Sequence, residues 1–295
     1  MNNFHIVTVA THSQYYFPYL VESCKMNGKE LTVLGYGEKW EGFNWRYKKV
    51  LDYLIKLDSD DIVCFVDGYD VICTQNLSEF PDKFMELKRE TNCKIIVGEQ
   101  KVIVNNVSSY IGKLSLKYYF GKCENNSLNA GTYIGKVNDL LELIKGILNI
   151  NSMNNADDQI LLTKYCKKRP TDITVDTNNK LFLTLELPYQ EIDKYLEFKD
   201  NKVYYQNNAP FFIHGAGQTY LDNILIRLNY NYNNNDKINQ KIYNDYYNTI
   251  IFRIKNNNSS IAIIIILIII IFIILFVILN KYLYKNRKLI KRGRK

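Results

Sequence analysis

The apolar residues of this chain fall into two kinds of run. Short continuous ones, rich in β-branched and aromatic residues, occupy 4–10 (FHIVTVA), 30–34, 62–66 (IVCFV), 94–98, 128–135 and 211–213, and predict strands. Between them apolar positions recur every three to four residues. Val50, Leu51, Leu54 and Ile55 mark a helix over 46–57, and further helices are expected near 13–26, 78–89, 139–148 and 160–166. Weaker strands are expected at 173–176, 181–185 and 202–206. Strand and helix in alternation predict an α/β fold around a mostly parallel sheet. Residues 101–127 mix Val, Tyr, Lys and Asn without a clean period, and are expected to form a long substrate-facing loop.

A different pattern closes the chain. Residues 261–279 are 19 consecutive apolar residues, enough to span hydrocarbon as a helix. The pattern predicts four parts: a globular domain over 1–228, a Tyr/Asn-rich linker over 229–260, a transmembrane helix over 261–279 and a basic tail over 280–295. The expected localisation is a membrane, held by this single-pass C-terminal anchor. The first strand begins so close to Met1 that no room is expected for a cleavable signal peptide, which favours a cytosolic face for the domain.

Candidate chemistry gathers where strands end. Asp67 and Asp70 bracket Gly68-Tyr69 directly after the 62–66 strand, and open α/β sheets bind ligands outside the carboxyl ends of their strands. Two carboxylates so close repel each other unless a cation sits between, and oxygen ligands suit Mg²⁺ or Mn²⁺. An acidic turn that caps a helix fits the same spacing. In 211–217 (FFIHGAG) a strand again ends in a ligand type, His214, followed by Gly215 and Gly217, which let backbone approach phosphate oxygens. A structural histidine reads the same way. The small residues around Asn129 in 128–135 (LNAGTYIG) permit close approach to a ligand, or simply make a glycine-containing strand. Asp157 and Asp158 precede the 160–166 helix, where they suit capping as well as hydrogen bonds to sugar hydroxyls or an acceptor.

The formal charge of +8 changes its meaning once it is located. Eight of the 38 basic residues follow Asn280, so the first 280 residues hold 30 basic against 30 acidic residues, and nucleic-acid binding is excluded. The six cysteines form no C-x-x-C pair, and reduced structural thiols are expected.

Six stretches, in order, resemble the glycosyltransferase domain of procollagen lysyl hydroxylases and their viral relatives: VTVAT (7–11), LGYGEKWEG (34–42), FVDGYDV (65–71), LNAGTYIG (128–135), DDQ (157–159) and IHGAGQT (213–219). The resemblance implies a GT-A-like nucleotide-diphospho-sugar transferase fold, with a Rossmann-like mostly parallel sheet. It implies transfer of glucose or galactose from UDP-glucose or UDP-galactose to a protein acceptor such as hydroxylysine or galactosyl-hydroxylysine of collagen-like protein, with Mn²⁺ or Mg²⁺. Residue by residue it places the metal on Asp67, Asp70 and His214. Thr11, Lys49 and Tyr69 would contact the nucleotide, Gly215 and Gly217 the diphosphate, and Asp157 and Asp158 the sugar side of the pocket.

The chain departs from the family at Ala216, where an Asn is usual, and at Tyr220, where a Lys is usual. Loss of that lysine removes a positive charge from the phosphate side and would shift its task to Lys49, or leave a weak nucleotide-sugar or glycan-binding module. No histidine follows His214, so the two-His, one-carboxylate iron site of the hydroxylase has no counterpart, and lysyl hydroxylation is not expected.

Overall fold

The computed structural model describes residues 3–121, 123, 127–150, 157–200, 202–232 and 237–256, with 272, 273, 275 and 276. In chain order β1 (Phe4–Val9), α1 (Phe17–Met26) and β2 (Leu31–Leu34) make a first βαβ unit, and α2 (Phe43–Leu54) leads into β3 (Ile62–Val66) and β4 (Val71–Cys73). Then come α3 (Phe80–Thr91), β5 (Ile95–Val102), α4 (Val107–Phe120), β6 (Leu128–Lys136), α5 (Val137–Ile150) and α6 (Asp158–Lys168). The series closes with β7 (Ile173–Asp176), β8 (Phe182–Glu186), β9 (Glu197–Lys199), β10 (Lys202–Tyr204), β11 (Phe212–Ala216), α7 (Asp222–Arg227) and α8 (Ile238–Asn256).

One sheet of order β2-β1-β3-β6-β5-β8-β11-β4 carries the fold, with β7 also paired to β5. Its central strand β3 is apolar and buried at every position because helices cover both faces. Val7, Val63 and Phe65 point to one side, into a core with Val50 and Leu54 of α2 and Leu140, Leu143 and Ile144 of α5. Ile6, Cys64 and Val66 alternate with them and meet Leu20 of α1 and Phe80 and Phe84 of α3 on the other side.

Two strands, β6 and β4, run antiparallel to their neighbours in ways that matter for the site. The strand β6 runs antiparallel between β3 and β5, so its first residues, Asn129 to Gly131, lie beside the carboxyl end of β3. The short β4 runs antiparallel to β11, with Val71 opposite His214. Asp70, one residue before Val71, is thereby brought to the histidine.

Three expectations are corrected. Residues 107–120 form the helix α4, entered through an Asn106–Ser109 capping box rather than a loop. Its apolar residues Val107, Tyr110, Ile111, Leu114 and Tyr118 do recur at helical spacing, but they are exposed, so the neighbouring polar residues blurred the pattern. Cys123 and Cys166 form a disulfide across 43 residues of sequence, with Cα atoms 5.7 Å apart, whereas Cys24, Cys64, Cys73 and Cys93 are buried thiols outside any disulfide. Spacing alone could not reveal that pair, because α6 carries Cys166 to Cys123 only through tertiary packing.

The third correction concerns the membrane. The chain divides into two units, Met1–Lys241 and Ile242–Lys295. Among the described residues no helix is long and apolar enough to cross a membrane. The single-pass anchor, and the membrane localisation built on it, are therefore withdrawn. The C-terminal helix that is described, α8, carries Lys241, Asp245, Arg253 and Lys255, each costly to move into hydrocarbon. Residues 261–279 lie outside the described residues apart from 272, 273, 275 and 276, as does the basic tail.

Candidate active site

Asp67, Asp70 and His214 offer one ligand atom each within 4.8 Å of one another. The His214 Nε2 lies 3.2 Å from Asp70 Oδ2 and 4.0 Å from Asp67 Oδ2. Three backbone links fix this geometry. The Asp67 N–H donates to the Gly131 carbonyl at 2.8 Å, the Gly215 N–H donates to the Asp70 carbonyl at 2.8 Å, and β4 pairs with β11. Sheet register thus brings the ligand end of the imidazole to the short β3–β4 connection that carries the two carboxylates.

The glycine at 131 is required by this crowding. A Cβ there would lie 2.5 Å from His214 Cε1 and in contact with Asp67 Oδ2, filling the space between the ligands. Gly217, at φ +63°, turns the chain in the left-handed region against the Glu186 side chain. Gly215 is small because Leu221 would be 2.9 Å from a Cβ.

Burial raises the pKa of Asp67, and Asp70 beside it adds to the rise, while Arg46 works against it. For His214 burial favours the neutral ring, yet the Asp70 and Asp67 carboxylates outweigh it and raise the pKa. Carboxylates this close to one another and to a buried imidazole form an oxygen-and-nitrogen donor set suited to a divalent ion.

A cleft of about 430 Å³ is lined by Asp67 and Asp70 together with Thr11, Trp40, Phe43, Arg46 and Tyr69, among others. Thr11 and Tyr69 meet in it, the Thr11 N–H donating to the Tyr69 hydroxyl at 3.0 Å. Lys49 takes a different position. Its ammonium pairs with Glu38 at 2.7 Å, over the Trp45 ring, and it is not among the residues that line the cleft.

The two acids of α6 divide. Asp157 caps the helix by accepting the Ile160 N–H at 2.8 Å and is exposed, whereas Asp158 is buried and bonded to the Arg46 guanidinium. Arg46 is the residue that the sequence reading passed over. Its other branch reaches Asp67 Oδ1 at 2.6 Å, and its plane lies against the rings of Phe43, Tyr47 and Phe65 at 5.1 to 5.7 Å. A signal existed: Arg46 precedes Val50 by four residues and so shares the buried face of α2.

Residues 1–243 match the family described as the PLOD GT domain. The chain belongs to that family. By family it is a glycosyltransferase domain. Among relatives of the PLOD GT domain, a procollagen-lysine,2-oxoglutarate 5-dioxygenase of Drosophila melanogaster is 26% identical over 242 residues, 74% of this chain and 31% of that protein. The multifunctional procollagen lysine hydroxylase and glycosyltransferase of Caenorhabditis elegans is 26% identical over 248 residues, 75% of this chain and 32% of that protein. Human procollagen-lysine,2-oxoglutarate 5-dioxygenase 2 is 27% identical over 234 residues, 72% and 30%. The chain thus spans about a third of the length of these relatives. Among solved structures, a glycosyltransferase involved in the glycosylation of the major capsid of PBCV-1 matches with a TM-score of 0.43 at 14% identity, over 73% of this chain and 95% of that one.

Proposed function

We propose that this PLOD GT domain transfers glucose or galactose from its UDP-sugar to a protein acceptor, with a divalent ion, Mn²⁺ or Mg²⁺, on Asp67, Asp70 and His214. The convergence of those three side chains, two of which, Asp67 and Asp70, line a 430 Å³ cleft, carries the reading. The ion, when bound, would offset the negative charge of the departing diphosphate.

The chain's own residues do the rest. Thr11 and Tyr69 hold the nucleotide in the cleft between Trp40 and the metal ligands. The Gly217 turn lets backbone approach the diphosphate, as the small residue at 131 lets the ligands close. Asp158, fixed by Arg46, stands at the sugar side, while Asp157 serves the helix end. The names of the relatives point to procollagen lysine, so hydroxylysine or galactosyl-hydroxylysine of a collagen-like protein is the acceptor we propose.

The test is UDP release by the full chain with UDP-glucose or UDP-galactose, with and without Mn²⁺, against hydroxylysine and galactosyl-hydroxylysine peptides. Transfer that needs neither ion nor acceptor of this kind would overturn the proposal. Its pH dependence has a definite sign. Raised pKa values mean that Asp67 and His214 hold protons to higher pH than usual, and the ion must displace them. Apparent Mn²⁺ affinity should therefore rise with pH, by up to about tenfold per unit for each proton released. Titration calorimetry at several pH values measures this, and affinity independent of pH would contradict it.

A further inference from the structure

Behind the metal ligands runs a chain of side-chain hydrogen bonds that the resemblance does not mention. The Glu186 carboxylate accepts the Gln100 Nε2–H at 2.6 Å. The Gln100 Oε1 accepts the Asn129 Nδ2–H at 3.0 Å. The Asn129 Oδ1 then faces both the Gly131 N–H, at 2.8 Å, and His214 Nδ1, at 3.1 Å. Asn129 and His214 are buried at 4% and 3% exposure, so water does not substitute for these partners.

The direction of this chain is forced from both ends. A carboxylate has only acceptors, so Gln100 must turn its amide nitrogen to Glu186 and its oxygen to Asn129. That oxygen requires the Asn129 nitrogen, which leaves the Asn129 oxygen toward His214. From the other end, the Gly131 backbone N–H can only donate, and it demands the same Asn129 oxygen. An acceptor opposite His214 Nδ1 requires a proton on Nδ1. Nε2 faces an acceptor as well, Asp70 Oδ2 at 3.2 Å, and of the two neutral tautomers the Nδ1–H form is the one that satisfies Asn129 and leaves the Nε2 lone pair for a cation shared with Asp70.

We propose that Asn129, oriented by Glu186 through Gln100 and by Gly131, is a positioning residue that holds His214 as the Nδ1–H tautomer and presents Nε2 to the metal. The inference rests on the reading of His214 as a ligand. It also gives the Glu186 side chain, which abuts the Gly217 turn, a link to the metal site. Partners behind a ligating histidine are worth about 10- to 100-fold in metal affinity.

The experiment has a readout that needs neither sugar nor metal. The chain has three histidines, His5, His12 and His214, so His214→Ala identifies the His214 ring signals by their loss. Long-range ¹H–¹⁵N correlations of the metal-free full chain carrying Asp70→Ala, which removes the competing acceptor at Nε2, then report the tautomer at a pH where the ring is neutral. The expected result is Nδ1–H in that background and with Asn129→Asp added, which keeps an acceptor. Asn129→Ala added to it should shift the ring toward Nε2–H, and in the otherwise wild-type chain should weaken Mn²⁺ binding by about tenfold or more. Should Asn129→Ala fail to fold, Gln100→Leu breaks the relay away from the ligands, and a smaller shift in the same direction is expected because Gly131 still holds Asn129. An Nε2–H ring in the Asp70→Ala background would overturn the inference, as would unchanged tautomer and affinity in every folded variant. Loss of sugar transfer alone would bear on the enzyme reading and leave this one standing.

Discussion

Asp70→Ala should abolish metal-stimulated transfer while leaving the fold intact. Asp70 carries the ligand oxygen nearest His214 and is partly exposed at the cleft, so its loss opens no cavity in the core. Among the described residues that line the cleft the only Lys or Arg is Arg46, and its guanidinium is engaged by Asp67 and Asp158. With Lys49 bonded to Glu38, no lysine at these positions is left to neutralise a departing UDP. The ion would carry that burden almost alone. Removing a ligand should thus cost turnover about 10³-fold, the equivalent of ~4 kcal/mol in the barrier. Initial rates of UDP release with saturating donor and a Mn²⁺ titration measure it, with thermal melting as the control for folding. Activity within a few-fold of wild type would remove the metal assignment.

The strands and most helices were legible because burial on both faces leaves a plain signature. The run IVCFV and its neighbours read as strands from composition alone, and they lie within the sheet. What sequence could not supply was the direction of each strand. The antiparallel placement of β6 puts Asn129 and Gly131 against Asp67, and no local pattern encodes a partner 60 or more residues away. The helix α4 was missed for the opposite reason: its period is present, but its apolar residues face outward, where burial does not enforce a clean stripe. The apolar run at 261–279 shows the limit of composition as evidence, since length and apolarity licensed a span that no described helix provides.

The candidate site was partly legible for a related reason. Residues that end strands announce themselves, so position made Asp67, Asp70 and His214 candidates and the resemblance joined them into one metal set, and the structure brings their ligand atoms together. Groups that act from a helix face do not stand out. Arg46 looks like any surface cation in the stretch WRYKK until α2 is laid on the sheet, whereupon it is buried and Lys49, the residue singled out instead, lies with Glu38. A cation enclosed by three aromatic rings and two carboxylates is a property of packing, which periodicity can suggest only through the Arg46–Val50 spacing.

Arg46→Met tests that packing directly and should be the most destabilising single change at the site. Methionine fills much of the same volume, so the loss reports charge rather than a cavity. Burial works against a charged Arg46, but Asp158 and Asp67 outweigh it and lift its pKa further above the usual value, so the guanidinium stays charged. Removing it leaves two acids facing each other at the cleft wall without their shared partner. Breaking a buried pair in this way costs about 3–5 kcal/mol, which for a domain of this size lowers the melting temperature by roughly 10 °C. Arg46→Lys should recover part of the loss, because an ammonium meets one carboxylate well but cannot fork to both. The pH dependence gives the mechanism its signature. Without Arg46 the Asp67 pKa rises beyond the value that burial and Asp70 already impose, and a carboxyl whose folded pKa is raised favours the folded state below its unfolded pKa and loses that advantage as pH rises. The deficit of Arg46→Met relative to wild type should consequently be largest at neutral and alkaline pH and shrink on acidification, as Asp67 takes up its proton. Denaturant melts of both proteins across that range decide the matter, and a deficit that is constant with pH would mean that Arg46 acts through shape and not through charge.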